Sequence, residues 1–164
     1  MFKVDEKVVN SNGITCVIDK IERMKIPYTK VRKDYYIMHD LIHTDNVFYI
    51  PTDTEKSMRY PMTADEANSL INNIQDIEVM KVSAERFRDE EYRKCIKECS
   101  PTVLVGMLKF FKSRKDRRMS VGKSLSSLDE KYMRLASRNL FSELSCSLSL
   151  PVDEVENIVY GKMQ

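Results

Sequence analysis

With 164 residues, 42% hydrophobic and 32% charged, the chain is long enough for one medium domain or two small ones and has the composition of a soluble globular protein. A net charge of +2 excludes a general polycation, but the charge is unevenly spread: Met80–Lys123 holds 13 Lys and Arg against 6 Asp and Glu, whereas residues 1–60 hold 10 against 9. That asymmetry predicts an anionic partner for the second half. No stretch approaches a membrane span, and the opening MFKVDEKVV has no apolar signal region, so a cytoplasmic chain without a membrane partner is expected.

The first fifty residues read as short strands. Lys3–Val9 and Ile14–Ile21 flank Asn12-Gly13, a strong hairpin signal. Arg23–Lys30 is polar, contains Pro27 and reads as a loop. Tyr35–Leu41 and Val47–Ile50 follow, the last closed by Pro51. So many short antiparallel strands in so little chain suit a small, strongly curved barrel. The stretch PTDTEKSMRYPM, Pro51–Met62, reads as the joint between domains, which gives residues 1–55 and 56–164.

Beyond it the apolar period becomes helical, so the fold class expected is α+β, a small barrel followed by a bundle of about five helices. Thr63-Ala-Asp-Glu66 is a capping box opening a helix to about Ile74. Ser83 or a neighbour opens a second, to about Glu98, with Ala84, Tyr92, Cys95, Ile96 and Cys99 on one side. Ser100 as N-cap and Pro101 as first residue start a third. Ser127-Leu-Asp-Glu130 is a second capping box, opening a helix with Met133, Ala136, Leu140, Leu144 and Leu148 on one face. Pro151 starts a last, short helix toward Tyr160.

The third helix carries the run KFFKSRKDRR, Lys109–Arg118, six of ten residues basic. Leu104, Met107, Leu108 and Phe111 mark its apolar face, and after Phe111 charge covers every side. Such a run is either a solvated helix end or a polyanion contact, most often with phosphate backbone.

Catalytic patterns are missing. Gly122-Lys123-Ser124 ends like a phosphate loop, but Arg117 stands where the pattern needs glycine. His39 and His43 have no nucleophile at a telling spacing, and the acidic run Asp89-Glu90-Glu91 suits a solvated helix start. Cys16, Cys95, Cys99 and Cys146 are scattered, and the Cys95/Cys99 spacing is not that of a zinc knuckle. The reading is a non-enzyme with no cofactor, metal or small-molecule substrate.

Several motifs together resemble the CarD family of bacterial transcription regulators. They are Phe2-Lys3-Val4-Asp5-Glu6-Lys7-Val8-Val9 at the start, Tyr49-Ile50-Pro51-Thr52-Asp53, Tyr92-Arg93, Arg114-Lys115 and Arg117-Arg118, Gly122-Lys123-Ser124-Leu125, and Asp129-Glu130-Lys131. Their order covers nearly the whole chain. The resemblance implies a Tudor-like or SH3-like barrel that binds the β subunit of RNA polymerase. It also implies a helical domain on promoter DNA at the upstream edge of the transcription bubble, mostly through phosphate backbone and minor groove. The protein would then stabilise the open complex, and so raise or lower output according to the promoter, in a nucleoid-associated location.

The chain departs from the family pattern in three ways. Asp5 replaces a first-strand glycine, Met24 (beside Arg23) and Tyr49 replace polymerase-contacting arginines, and the chain has no tryptophan where many members wedge one into the minor groove. The polymerase-contact candidates are therefore Arg23, Met24, Lys25 and Tyr49. Phe87, flanked by Arg86 and Arg88, is the wedge candidate, with Met80 the alternative. The other DNA-contact candidates are Arg93, Lys109, Lys112, Arg114, Lys115, Arg117, Arg118, Lys123 and Lys131. Two other readings remain, a polymerase-binding adaptor without productive DNA contact and an RNA- or ribosome-binding protein. The basic run has no aromatic stacking platform beside it, which disfavours the last.

Overall fold

The computed structural model describes all of residues 1–164, which form an α+β protein of two compact units, Met1–Pro61 and Met62–Gln164. The first unit is one antiparallel sheet of β1 (Lys7–Val9), β2 (Thr15–Met24), β3 (Lys33–Asp40) and β4 (Val47–Pro51), in that spatial order. The hairpin at Asn12-Gly13 forms as its sequence predicts. Gly13 takes φ 76, and the Asn10 Oδ1 accepts the amides of Asn12 and Ile14 across the turn.

The first strand is shorter than expected because Lys3–Glu6 closes a turn. The Glu6 amide donates to the Lys3 carbonyl, and the Lys3 amide donates to the Glu6 carboxylate. Asp5 sits there at φ 68, the left-handed region that glycine adopts freely and Asp tolerates better than most residues.

The sheet is open. β1 and β4 are its two edges and do not pair, so the expected closed barrel is not formed. A single bridge from Val9 to Arg59 covers part of the β1 edge. That bridge holds the chain as far as Pro61 with the sheet, and the division falls between Pro61 and Met62, past the expected 55/56 boundary. One face of the sheet buries Val8, Cys16, Ile18, Tyr36, Met38 and Met58. Between Ile18 and Lys20 the register shifts at a bulge, which places Asp19 2.8 Å from His39.

The second unit contains α1 (Ala64–Asn72), α2 (Arg88–Glu98), α3 (Pro101–Met119), α4 (Ser127–Leu148) and α5 (Val152–Met163). The Thr63/Glu66 capping box is formed in both directions. α4 starts differently from its motif. Ser126, not Ser127, is the cap and accepts the Asp129 amide. Asp129, the third residue of the helix, turns its carboxylate into the core instead of back to the cap.

α2 also begins later than expected. Ser83 is tied by its amide and hydroxyl to the Glu91 carboxylate, Glu85–Phe87 is a 3-10 turn, and the α-helix starts at Arg88. Ser100 occupies the N-cap of α3 without a side-chain cap bond, its carbonyl accepting the Leu104 amide.

α3 is the centre of this unit. Leu104, Met107, Leu108 and Phe111 are buried, as the stripe predicts, and pack with Ala136, Leu140 and Leu144 of α4 and Val155 and Val159 of α5. Burying each of these large side chains contributes about 1.5–3 kcal/mol. Gly106 lets an extended segment cross α3 closely: the Met80 amide donates to the Gly106 carbonyl, 3.1 Å, and a Cβ at Gly106 would lie 2.7 Å from the Glu78 carbonyl oxygen.

Candidate functional site

The basic end of α3 is not charged and solvated all round. Arg114 is three residues past Phe111, so it continues the buried face. Its side chain is only 16% exposed, and its Nε lies 2.8 Å from Oδ2 of the fully buried Asp129, a charge contact not aligned as a hydrogen bond. The other Asp129 oxygen accepts the Tyr92 hydroxyl, 2.7 Å. Burial, then that bond, holds the Tyr92 phenol well above its ordinary pKa.

The two terminal nitrogens of Arg114 donate to Glu85, 2.8 and 2.9 Å, and Arg88 donates to the same carboxylate, 2.8 Å. The bonds from Arg114, then from Arg88, push the Glu85 carboxyl down to about 2. Arg114 and Arg88, both DNA candidates on charge alone, are therefore spent on internal partners that fix α2 and the 3-10 turn to α3 and α4. Burial decides this, and composition cannot show it.

Other candidates are also engaged. The Lys109 ammonium donates to the Gln75 and Ile77 carbonyls, and the Arg118 Nε donates to the Ser124 carbonyl across the α3–α4 loop. Arg93 pairs with Asp89 and Lys112 lies 3.6 Å from Asp116, both at the surface. Left exposed without an ionic partner are Arg86, Lys115, Arg117, Lys123 and Lys131.

Of these, Lys115, Arg117 and Lys123 line a run of grooves around the end of α3. Lys109, Lys112 and Arg117 line one of about 550 Å³. Arg117 continues into a shallow one of about 280 Å³ with Arg114, Arg118 and Lys123. Lys123 continues into a third, of about 750 Å³, with Lys115 and Arg134 above Met119, Leu125 and Met133. Arg134 is not among the residues that the sequence singled out. Its signal is the i, i+3 spacing of Lys131 and Arg134, both exposed on α4. Gly122, at φ 73, makes the turn that carries Lys123 into both grooves.

Phe87 stands apart from the core at 44% exposure, in the 3-10 turn rather than on the helix where the sequence placed it. The Arg86 guanidinium lies over its ring, 4.7 Å from the centroid. Arg88 does not flank it freely, being bound to Glu85. Met80, the alternative wedge, packs against the helical core with its sulfur 3.8 Å from Cys95.

In the sheet unit, Tyr49 is 51% exposed on the edge strand β4, opposite Ile37. Met24, opposite Lys33, shares that outer face but is half-buried, at the far end of β2. Arg23, opposite Asp34, points to the other face, and Lys25 is exposed just past the strand. The register thus groups Met24 with Tyr49 and separates Arg23 from both.

The one histidine–carboxylate pair is Asp19–His39, with Nδ1 2.8 Å from Oδ1. All four cysteines are free, and no group of three or more His, Cys, Asp or Glu is placed to hold a metal ion. No helix is long and apolar enough to cross a membrane. No protein-family model and no curated protein matches the chain.

Proposed function

We propose that the chain is a non-enzymatic transcription regulator. In this reading the sheet unit, a Tudor-like fold with an open sheet, docks on the RNA polymerase β subunit through the outer face bearing Tyr49 and Met24. The helical unit contacts promoter DNA at the upstream edge of the bubble and shifts open-complex stability, in the cytoplasm and on the nucleoid. The observation that carries the DNA contact is the succession of exposed cations Arg117, Lys123, Lys115 and Arg134 along adjoining grooves, in which Asp116 and Glu130 are the only acids. Clustered cations with few opposing acids favour a phosphate backbone without selecting sequence. The resemblance to the CarD family supplies the polymerase and the promoter. Phe87, exposed and beside the solvated Arg86, takes the place of the wedge.

The test is open-complex lifetime on a promoter template with and without the protein, beside capture of the β subunit by the tagged chain. The expected result is a longer lifetime with the protein, shortened by Phe87→Ala and lengthened by Phe87→Trp, with duplex affinity and melting temperature hardly changed by Phe87→Ala. Capture of β with no effect of the protein on lifetime would leave only the adaptor reading. If β is not captured either, the proposal fails.

A further inference from the structure

The most polarised part of the sheet unit is the end of the β2–β3 hairpin. Arg23–Lys33 holds five Lys and Arg and no acid, while the rest of Met1–Pro61 holds five against nine. Acidic groups reach only its root: Asp34 is opposite Arg23, and Asp53 pairs with Lys33 at 2.6 Å. Lys25, Lys30 and Arg32 are exposed and have no ionic partner.

At the tip, the Thr29 amide and hydroxyl both donate to the Ile26 carbonyl, 3.1 and 2.9 Å, closing the turn Ile26-Pro27-Tyr28-Thr29. Proline second and positive φ third is the pattern of a type II turn, whose third place favours glycine or asparagine. Here it is Tyr28, at φ 76 and 106% exposed. The ring packs on nothing, and its backbone is in a region that costs a bulky residue free energy. Neither folding nor turn chemistry accounts for a tyrosine at this position.

We infer that the hairpin tip is a contact for single-stranded nucleic acid, separate from the α3 grooves and independent of the function proposed for them. The Tyr28 ring supplies a stacking surface for one unpaired base, and Lys30 and Arg32, with Lys25 at the root, neutralise the flanking phosphates. An anionic membrane surface also attracts cations, but the tip offers it little apolar area. Ile26 is half-buried, which leaves Tyr28 and the exposed Val31.

The test irradiates the full-length chain with an oligo-dT of about twelve nucleotides carrying 5-iodo-deoxyuridine, a length within the usual range of single-strand sites. Tryptic peptides are then mapped by mass. The adduct is expected in Ile26–Lys30, on Tyr28. Tyr28→Ala and Tyr28→Gly should each weaken single-strand affinity on the order of 10- to 100-fold. Tyr28→Gly should at the same time raise the melting temperature by relieving the backbone, so stability and binding move in opposite directions. Replacing Lys115, Arg117 and Lys123 by glutamine should leave the Tyr28 adduct in place, which separates this contact from the α3 grooves. Adducts confined to α3 peptides with unchanged affinity of Tyr28→Ala overturn the inference. So does Tyr28-dependent binding to phosphatidylserine vesicles without any adduct.

Discussion

Gly106 shows how one atom fixes the route of a whole segment. It is buried inside α3, where glycine costs about 1 kcal/mol against alanine in helix propensity. A local argument therefore favours replacing it. The Glu78 carbonyl, 2.7 Å from where a Cβ would stand, argues the other way, because the obstruction is backbone and cannot rotate aside. The overpacking should win: Gly106→Ala is expected to lower the stability of the helical unit by about 1–3 kcal/mol, read as the midpoint of urea unfolding. A midpoint that rises would show that the Glu78–Met80 crossing can move off the helix freely.

At the scale of elements, the network around Arg114 joins three helices through one side chain. Asp129 is fully buried, and Arg114 is the cation beside it. Removing that cation leaves a buried carboxylate unpaired, so Arg114→Met is expected to cost about 3–5 kcal/mol at neutral pH. Arg117→Met, at an exposed position of the same helix, should stay within about 0.5 kcal/mol. The same substitution changes the acid limb. The Glu85 carboxyl is held down to about 2 by Arg114 and Arg88, below its ordinary value of 4.5. A group depressed in the folded state contributes stability above its unfolded pKa, and loses it as pH falls from about 4.5 through about 2. With Arg114 gone, this loss should be shallower in melting temperature against pH. Because Glu85 is largely exposed, the effect is smaller than that of the buried pair. Equal stability losses from Arg114→Met and Arg117→Met would show that the pairing with Asp129 contributes nothing.

At the scale of the molecule, charge is sorted rather than summed. The net charge is +2, yet the grooves around the end of α3 and the tip of the β2–β3 hairpin are both strongly basic. Replacing Lys115, Arg117, Lys123 and Lys131 together by glutamine should leave the fold intact, since all four are exposed. It should flatten the slope of log duplex affinity against log salt by about 0.9 for each phosphate that is no longer neutralised. Arg114 is left out of that set because its loss would unfold what the experiment needs. An unchanged slope would make the grooves a solubilising surface.

Sequence by itself determined what depends on residues within a turn or two of one another. The Thr63/Glu66 box, the Asn12-Gly13 hairpin and the Leu104-to-Phe111 stripe follow from steric preference, local hydrogen bonding and period. So does the basic character of the α3 end. Only the tertiary structure decided which of those cations meet solvent. Arg114 turns inward because Asp129 arrives from another helix, and Arg88 follows it to Glu85. It also decided that the sheet stays open, since the alternation that makes strands does not say whether the edges β1 and β4 will meet. Tyr28 lies between the two: Pro27 announces a turn in the sequence, but only the backbone around it reveals a tyrosine held where glycine belongs.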